Sequence, residues 1–161
     1  MPASSRVRTT SGRGRLFDSV LDTVGDTPCI RVNNLAPKGV RMYVKAEAFN
    51  PAASVKDRLA LNIIEAAERN GTLKPGQTVV EATSGNTGAS LALLAAVRGY
   101  KCVFVMPDKM SQQKVAKLRA FGARVVMCPT AVGQTTTRAP NARRFEIFSW
   151  LILSGITKTH L

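Results

Sequence analysis

The residues whose types are best suited to binding or catalysis form a polar loop, Thr-Ser-Gly-Asn-Thr-Gly at positions 83–88. The β-branched pair Val79 and Val80 precedes this loop and suits a strand, and the helix-forming residues 91–96 follow it. A loop that opens a helix directs backbone N–H groups and the positive end of the helix dipole at one point, where anions bind. The loop has two glycines and no lysine, so it is neither a P-loop nor a dinucleotide fingerprint. Its hydroxyl and amide side chains suit a small carboxylate.

Lys56 is the second residue whose position suggests chemistry. A helix is predicted to begin at Ser54, which places Lys56 in the first turn, beside the positive end of the helix dipole and near the apolar residues Val55 and Leu59. The neutral amine of a lysine is the form that attacks a carbonyl group. Considered alone, the position fits an ordinary solvated lysine better than a nucleophile, and only the combination with the polar loop favours chemistry.

Alternating strands and helices are predicted to position these residues. The apolar pattern predicts strands at 78–82, 101–106 and 124–128, with helices at 87–98 and 111–121 between them. Such short loops around helical crossovers require parallel strands. Because ligands of open parallel sheets bind at the carboxyl ends of the strands, the polar loop lies where a site is expected.

The segments upstream of this region have their own predicted features. Short strands are predicted at residues 29–32 and 40–46. In the helix that begins at Ser54, the spacing of Ser54 and Asp57 is close to that of a capping box. An apolar row on this helix, with two residues that widen it, is predicted to face the core: Val55, Leu59, Ile63 and Ala67, with Ala60 and Ile64.

Two segments together resemble the N-terminal motifs of the fold-type-II pyridoxal-phosphate enzymes, and more narrowly those of the cysteine synthase and cystathionine β-synthase family. They are Asn-Pro-Ala-Ala-Ser-Val-Lys-Asp-Arg at 50–58 and Glu-Ala-Thr-Ser-Gly-Asn-Thr-Gly at 81–88. With shorter matches elsewhere, the resemblance covers about residues 17–132. It implies an α/β fold with a parallel three-layer αβα sheet of the tryptophan synthase β-like type, incomplete in this chain.

The resemblance also implies roles for individual residues. Lys56 matches the family lysine that forms a Schiff base with pyridoxal 5'-phosphate, and Asn86 matches the asparagine that hydrogen-bonds the cofactor's ring hydroxyl. The polar loop matches the cradle of the substrate's α-carboxylate, which agrees with the small-anion interpretation of its residue types. The residues of this cradle are Thr83, Ser84, Gly85, Asn86 and Thr87.

The activity that the resemblance implies is a β-replacement in cysteine biosynthesis. An amino-acid substrate, O-acetylserine or serine, would lose its β-substituent through an aminoacrylate, and sulfide or another thiol would then add. A serine or threonine dehydratase is the alternative within the same fold. The family also implies a homodimer. An alternative outside enzymes is a non-catalytic fragment that binds a partner chain.

Three regions are expected along the chain: a disordered basic tail at residues 1–15, the family-like α/β region at 16–132, and a divergent tail at 133–161. The family holds the cofactor phosphate with a later glycine-rich loop, and no such loop is recognisable here. The sequence therefore predicts a truncated form that lacks the phosphate-binding half and is inactive on its own.

Composition limits the other function classes. The net charge of +13 is concentrated per residue at the two ends, and no aromatic-basic pattern accompanies it, so nucleic-acid binding is not predicted. Three cysteines without a CxxC pair, and His160 as the sole histidine, argue against a metal site and predict buried, reduced thiols in a cytoplasmic protein. The basic N-terminus leaves organelle targeting open. No membrane span is predicted, because no apolar run reaches about 20 residues.

Overall fold

The computed structural model describes residues 14–83 and 85–129. Ser84, most of the predicted basic tail and the whole of the predicted divergent tail therefore lie outside the described residues. Two short 3₁₀ helices, Val20–Thr23 and Glu47–Phe49, accompany the main elements. In chain order these are β1 Cys29–Val32, β2 Met42–Lys45, α1 Lys56–Arg69, β3 Thr78–Ala82, α2 Asn86–Arg98, β4 Lys101–Pro107, α3 Gln112–Ala120 and β5 Arg124–Cys128.

The alternation of β3, α2, β4, α3 and β5 forms a parallel sheet in the order β3-β4-β5. Val80 lies opposite Val103, and Val105 lies opposite Val126. The sequence prediction of parallel strands is confirmed, with element ends shifted by no more than one residue. The shift has a local cause, because Asn86 already takes helical geometry after the extended backbone of Gly85.

The core lies between the central strand β4 and the helices. Phe104 and Met106 of β4 and Leu94 of α2 are fully buried, and Val79 of β3 joins the same apolar cluster. β4 is the central strand, and its consecutive residues Phe104, Val105 and Met106 are all buried, which explains why its sequence is a nearly continuous apolar run. This packing fixes the carboxyl end of β3, after which the polar loop begins.

Helix α1 buries part of the predicted face, since Ala60, Ile64 and Ala67 are buried as predicted. Val55 and Leu59 are 49% and 43% exposed, so the prediction that they face the core is wrong. The buried residues are Asp57, Ala60, Ile64 and Ala67. Their spacing of three and four residues forms one stripe, and its alanines allow α1 to pack closely against α2. The buried hydrogen bond between Asp57 and Ser90 of α2 fixes this rotation.

β1 and β2 form a separate antiparallel pair, in which Cys29 lies opposite Lys45. The pair is largely exposed, so the prediction of buried thiols is wrong for Cys29. Cys102 and Cys128 are buried as predicted. Burial, together with the nearby Glu81 carboxylate, raises the pKa of the Cys102 thiol to about 12. Within the described ranges, no helix has the length and apolar character needed to cross a bilayer.

Candidate active site

The polar loop is closed by the side chain of its first residue. Thr83 follows β3 directly, and its backbone N–H donates to the Val105 carbonyl at 3.2 Å, which anchors it to β4. Its Oγ1 accepts hydrogen bonds from the N–H groups of Gly88, at 3.1 Å, and Gly85, at 3.4 Å. Both lone pairs of this oxygen are thus used inside the loop. The hydroxyl hydrogen remains as a donor, which suits an anionic ligand.

Gly88 is required by the close approach of Thr83. A Cβ atom at position 88 would lie 2.3 Å from Thr83 Cγ2, a distance that real Cβ contacts essentially never show. A Cβ atom at Gly85 would meet no atom within 4 Å. The two glycines of the loop therefore differ: the one at 88 is needed for space, and the one at 85 is not.

The start of α2 completes the loop. Asn86 is the first helical residue and is exposed, and Thr87 is half-buried. The first N–H groups of a helix have no intrahelical acceptor. Here the N–H of Gly88 turns back to Thr83, and that of Ala89 donates to the Gly85 carbonyl. The N–H groups of Asn86 and Thr87, with the helix dipole behind them, are the ones that helix geometry leaves for a ligand.

Lys56 is the first residue of α1, and its side chain is exposed. Its backbone N–H donates to Ser54 Oγ at 3.1 Å, but Val55 occupies the N-cap position, so the predicted helix start at Ser54 lies two residues too early. The predicted capping box does not form, because the backbone N–H of Asp57 donates to the Ser54 carbonyl at 3.1 Å and the carboxylate bonds elsewhere. The carboxylate of Asp57 instead accepts the Ala52 N–H at 2.6 Å and the hydroxyl of Ser90.

The Asp57–Ser90 hydrogen bond joins the two parts of the site. Asp57 is next to Lys56 in the first turn of α1, and the Ser90 hydroxyl also lies 3.0 Å from the Asn86 carbonyl in the first turn of α2. The two helix starts are therefore tied together by buried polar atoms. Lys56 and Asn86, predicted from separate motifs, head the two joined helices. Neither Asp57 nor Ser90 was predicted to connect them, because the two residues are 33 positions apart and no pattern relates them.

A second polar network, also missed by the sequence analysis, supports the loop before α1. The Arg58 guanidinium contacts both oxygens of Glu47, at 2.9 and 3.1 Å, and the Thr27 hydroxyl at 3.1 Å. Asn50 donates to Glu47 Oε2 and accepts the N–H of Gly25, both at 2.9 Å. The turn at residues 25–28 is thereby fastened to the segment that leads into Lys56. One of the shorter family matches, Gly-Asp-Thr-Pro at 25–28, resembles the family's entry turn, and together with the match at 50–58 it could have indicated that these segments meet.

This network makes the stability of the chain sensitive to acid. Hydrogen bonds from Arg58 and then from Thr27 and Asn50 lower the pKa of Glu47 from 4.5 to about 2. A carboxyl whose pKa is depressed by folding stabilises the protein above its unfolded pKa, and this stabilisation is lost as the pH falls. We therefore expect a Glu47-dependent loss of stability between pH 4.5 and about 2. Urea midpoints measured across this range for wild type and Glu47→Gln test the expectation.

In that experiment, Glu47→Gln should lower the midpoint at neutral pH and flatten its decline with acid. Arg58→Met should flatten the same part of the curve, because the guanidinium is the main cause of the shift. Parallel curves for wild type and Glu47→Gln between pH 4.5 and 2 would contradict the assignment.

The chain matches the family described as "Pyridoxal-phosphate dependent enzyme" over residues 20–150. The match continues past residue 132, and the boundary expected there stays a prediction. The chain is 50% identical over 150 residues to cystathionine beta-synthase of Rattus norvegicus, covering 91% of this chain and 26% of that protein. It is 49% identical over 116 residues to the probable cysteine synthase of Bacillus subtilis (strain 168), covering 71% of this chain and 37% of that protein.

Solved structures give the same result. A crystal structure of O-ureido-L-serine synthase superposes with a TM-score of 0.72 at 50% identity, covering 74% of this chain and 38% of that one. The chain thus spans about a quarter to two fifths of the length of the proteins it matches. The fold-type-II character of the α/β fold, predicted from the motifs, is confirmed.

Proposed function

This chain belongs to the pyridoxal-phosphate dependent enzyme family, and from this premise we propose that it binds the cofactor at Lys56 and serves a β-replacement on a serine-type amino acid. The observation that carries the proposal is the joining of two helix starts through Asp57 and Ser90. It links Lys56, whose amine can bond covalently to an aldehyde, to the polar loop, whose hydroxyl and N–H groups can donate to a carboxylate. Three relatives support the substrate class, since they are named cystathionine beta-synthase, cysteine synthase and O-ureido-L-serine synthase.

The residues present fit the cofactor by their chemistry. Lys56 offers an exposed primary amine, which can bond to an aldehyde carbon. Asn86 offers an exposed amide, which can donate to or accept from a ring hydroxyl. When bound, pyridoxal phosphate supplies the electrophilic carbon that holds an amino group and the ring that withdraws electrons from the α-carbon.

The chain's own residues would then perform the remaining tasks. The Lys56 amine would be the base that accepts the substrate's α-proton at Nζ. The Thr83 hydroxyl, with the N–H groups of Asn86 and Thr87, would hold the substrate carboxylate. Gly85 and the predicted cradle residue Ser84 belong to the same loop. A carboxylate fixed at this loop orients the α C–H bond, which is a positioning contribution to the rate.

The proposal is tested with the full chain, pyridoxal phosphate, O-acetylserine and sulfide. We expect visible absorbance from bound cofactor and cysteine that forms only when sulfide is present. Bound cofactor without any product would instead fit the truncated, inactive form that the sequence predicts. Serine with homocysteine, in a parallel reaction, decides between the two kinds of nucleophile. Pyruvate that forms without any nucleophile would instead identify a dehydratase. Absence of both cofactor absorbance and product would overturn the proposal and favour the partner-binding alternative.

A further inference from the structure

Asp57 is the charged residue whose burial needs an explanation. Its exposed fraction is 0%, although its neighbour in the helix, Lys56, is exposed. Taking a carboxylate out of water is costly unless hydrogen bonds replace its hydration. The other buried positions on the same stripe of α1 are Ala60, Ile64 and Ala67, so an apolar residue would suit helix packing there. The carboxylate must therefore contribute something that packing does not.

The partners of Asp57 indicate what it contributes. One carboxylate oxygen holds the Ala52 N–H of the loop that leads into Lys56, and the other receives the Ser90 hydroxyl of α2. Ser90 in turn lies beside the Asn86 carbonyl. Asp57 is thus the point where the loop before α1, the start of α1 and the start of α2 meet.

The loop that Asp57 holds is not relaxed. Ala53 has a φ of 64°, in the left-handed region that disfavours residues with a Cβ atom. Such a conformation persists only where the surroundings fix it. The Ala53 N–H donates to the Asn50 carbonyl at 2.7 Å, and the neighbouring Ala52 N–H donates to Asp57. The loop backbone at Ala52, four residues before Lys56, is therefore fastened by the carboxylate of the residue immediately after Lys56.

Apolar packing alone would place Lys56 less accurately. Contacts between small side chains such as Ala60 and Ala67 of α1 and those of α2 are non-directional and tolerate sliding. Hydrogen bonds fix a separation between named atoms to within a few tenths of an ångström. The Asp57–Ser90 hydrogen bond therefore sets where the start of α1, with Lys56, lies relative to the start of α2, with Asn86.

We propose that Asp57, acting through Ser90 and the Ala52 N–H, is a positioning residue that holds the Lys56 amine in register with the polar loop. The proposal rests on the proposed function, since it assigns how the two parts of that site are aligned. It also specifies which replacements can work. In Asp57→Asn, the amide oxygen can accept from Ala52 and the amide nitrogen can donate to Ser90, leaving the Ser90 hydroxyl to donate to Asn86. In Asp57→Leu, similar in size, none of these bonds forms.

The first test measures covalent cofactor capture at Lys56. Each full-chain variant is incubated with pyridoxal phosphate, the adduct is made permanent with borohydride, and peptide mass spectrometry compares labelling at Lys56 with labelling at Lys114. Lys114 is a suitable internal reference, because it is an exposed lysine in the first turn of α3. Loss of hydrogen bonds to a charged group should slow labelling at Lys56 about tenfold in Asp57→Leu. Asp57→Asn should stay within about threefold of wild type, because its bonds can be remade.

A stability control separates positioning from general destabilisation. Ile64→Val or Ile64→Ala, whichever matches the thermal midpoint of Asp57→Leu, changes the same buried stripe about two turns from the site. We expect it to label at the wild-type rate while folded. Equal losses in this control and in Asp57→Leu, or wild-type labelling in Asp57→Leu, would overturn the proposal.

The second test needs no cofactor. Hydrogen exchange of the Gly88 N–H reports on the polar loop, and this group bonds to Thr83, not to Asp57. We expect its exchange to accelerate in Asp57→Leu and in Ser90→Ala but not in the stability-matched Ile64 variant. If Asp57→Leu does not fold, Ser90→Ala replaces it in the labelling and the exchange experiments. Wild-type labelling at Lys56 together with wild-type exchange at Gly88 in Ser90→Ala would then overturn the proposal. Failure of the wild type to label at Lys56 would refute the proposed function, and the Gly88 exchange would still decide whether Asp57 couples the two helix starts.

Discussion

Replacing Gly88 with alanine is expected to disrupt the polar loop and remove carboxylate binding. The added Cβ atom would lie 2.3 Å from Thr83 Cγ2 and 3.2 Å from Thr83 Oγ1. Thr83 is short and β-branched, so its side chain can relieve the contact only by rotating. Rotation moves Oγ1 away from the N–H groups of Gly85 and Gly88, whose hydrogen bonds it now accepts. Overpacking of this kind costs about 1–3 kcal/mol of stability. Urea unfolding and equilibrium binding of an amino-acid substrate measure the two effects.

The same loop provides the matched control. Gly85→Ala adds a Cβ atom that meets nothing within 4 Å, and the φ of Gly85, −146°, lies outside the left-handed region that disfavours residues with a Cβ atom. We therefore expect Gly85→Ala to remain close to wild type in stability, within about 0.5 kcal/mol. Because Thr83→Ser removes Cγ2 and keeps the hydroxyl, the Thr83→Ser, Gly88→Ala double variant should recover part of the loss. Equal behaviour of the two alanine variants would contradict the close-contact explanation.

Lys56→Ala is expected to abolish covalent capture of pyridoxal phosphate and with it any β-replacement. The side chain is exposed, and the buried Asp57 network is made by the Ala52 N–H and the Ser90 hydroxyl, so the fold should remain. Alanine is a good helix former, and substitutions at such positions usually change stability by less than about 0.5 kcal/mol. The readouts are cofactor absorbance, borohydride-stable mass at residue 56, and unchanged far-ultraviolet circular dichroism.

Lys114→Ala is the control for this experiment. It removes an equally exposed lysine from the first turn of another helix, so any non-specific reaction of lysines with the aldehyde falls equally in both variants. We expect Lys114→Ala to bind the cofactor as wild type does. An undiminished, stoichiometric adduct in Lys56→Ala would show that another amine holds the cofactor.

The acid dependence arising from Glu47 concerns a different property, namely the stability of the segments around the site. Its carboxylate is bonded to Arg58 in α1 and to Thr27 in the turn before β1. Acid therefore weakens the attachment of that turn to α1. The Gly88 and Lys56 variants, in contrast, change the ligand-binding atoms directly.

Local sequence determined the elements and the identity of the chemical residues. The strands at 78–82 and 124–128 were predicted with the observed bounds, because short runs of β-branched and other apolar residues between turn residues indicate strands. Lys56 and Asn86 were predicted near helix starts, because turn and helix preferences act within a few residues. The pairing of the two motifs pointed to pyridoxal phosphate before any geometry was known.

Only the tertiary structure decided how those parts are joined. Which face of α1 is buried depends on α2, so Val55 and Leu59 were wrongly assigned to the core, and Asp57 was assigned to a local cap. The need for glycine at 88 follows from where Thr83 is placed after β3. Hydrogen bonds between residues about 30 positions apart, such as Asp57–Ser90 and Arg58–Thr27, leave no periodic trace in a sequence, because periodicity records only neighbours along one element.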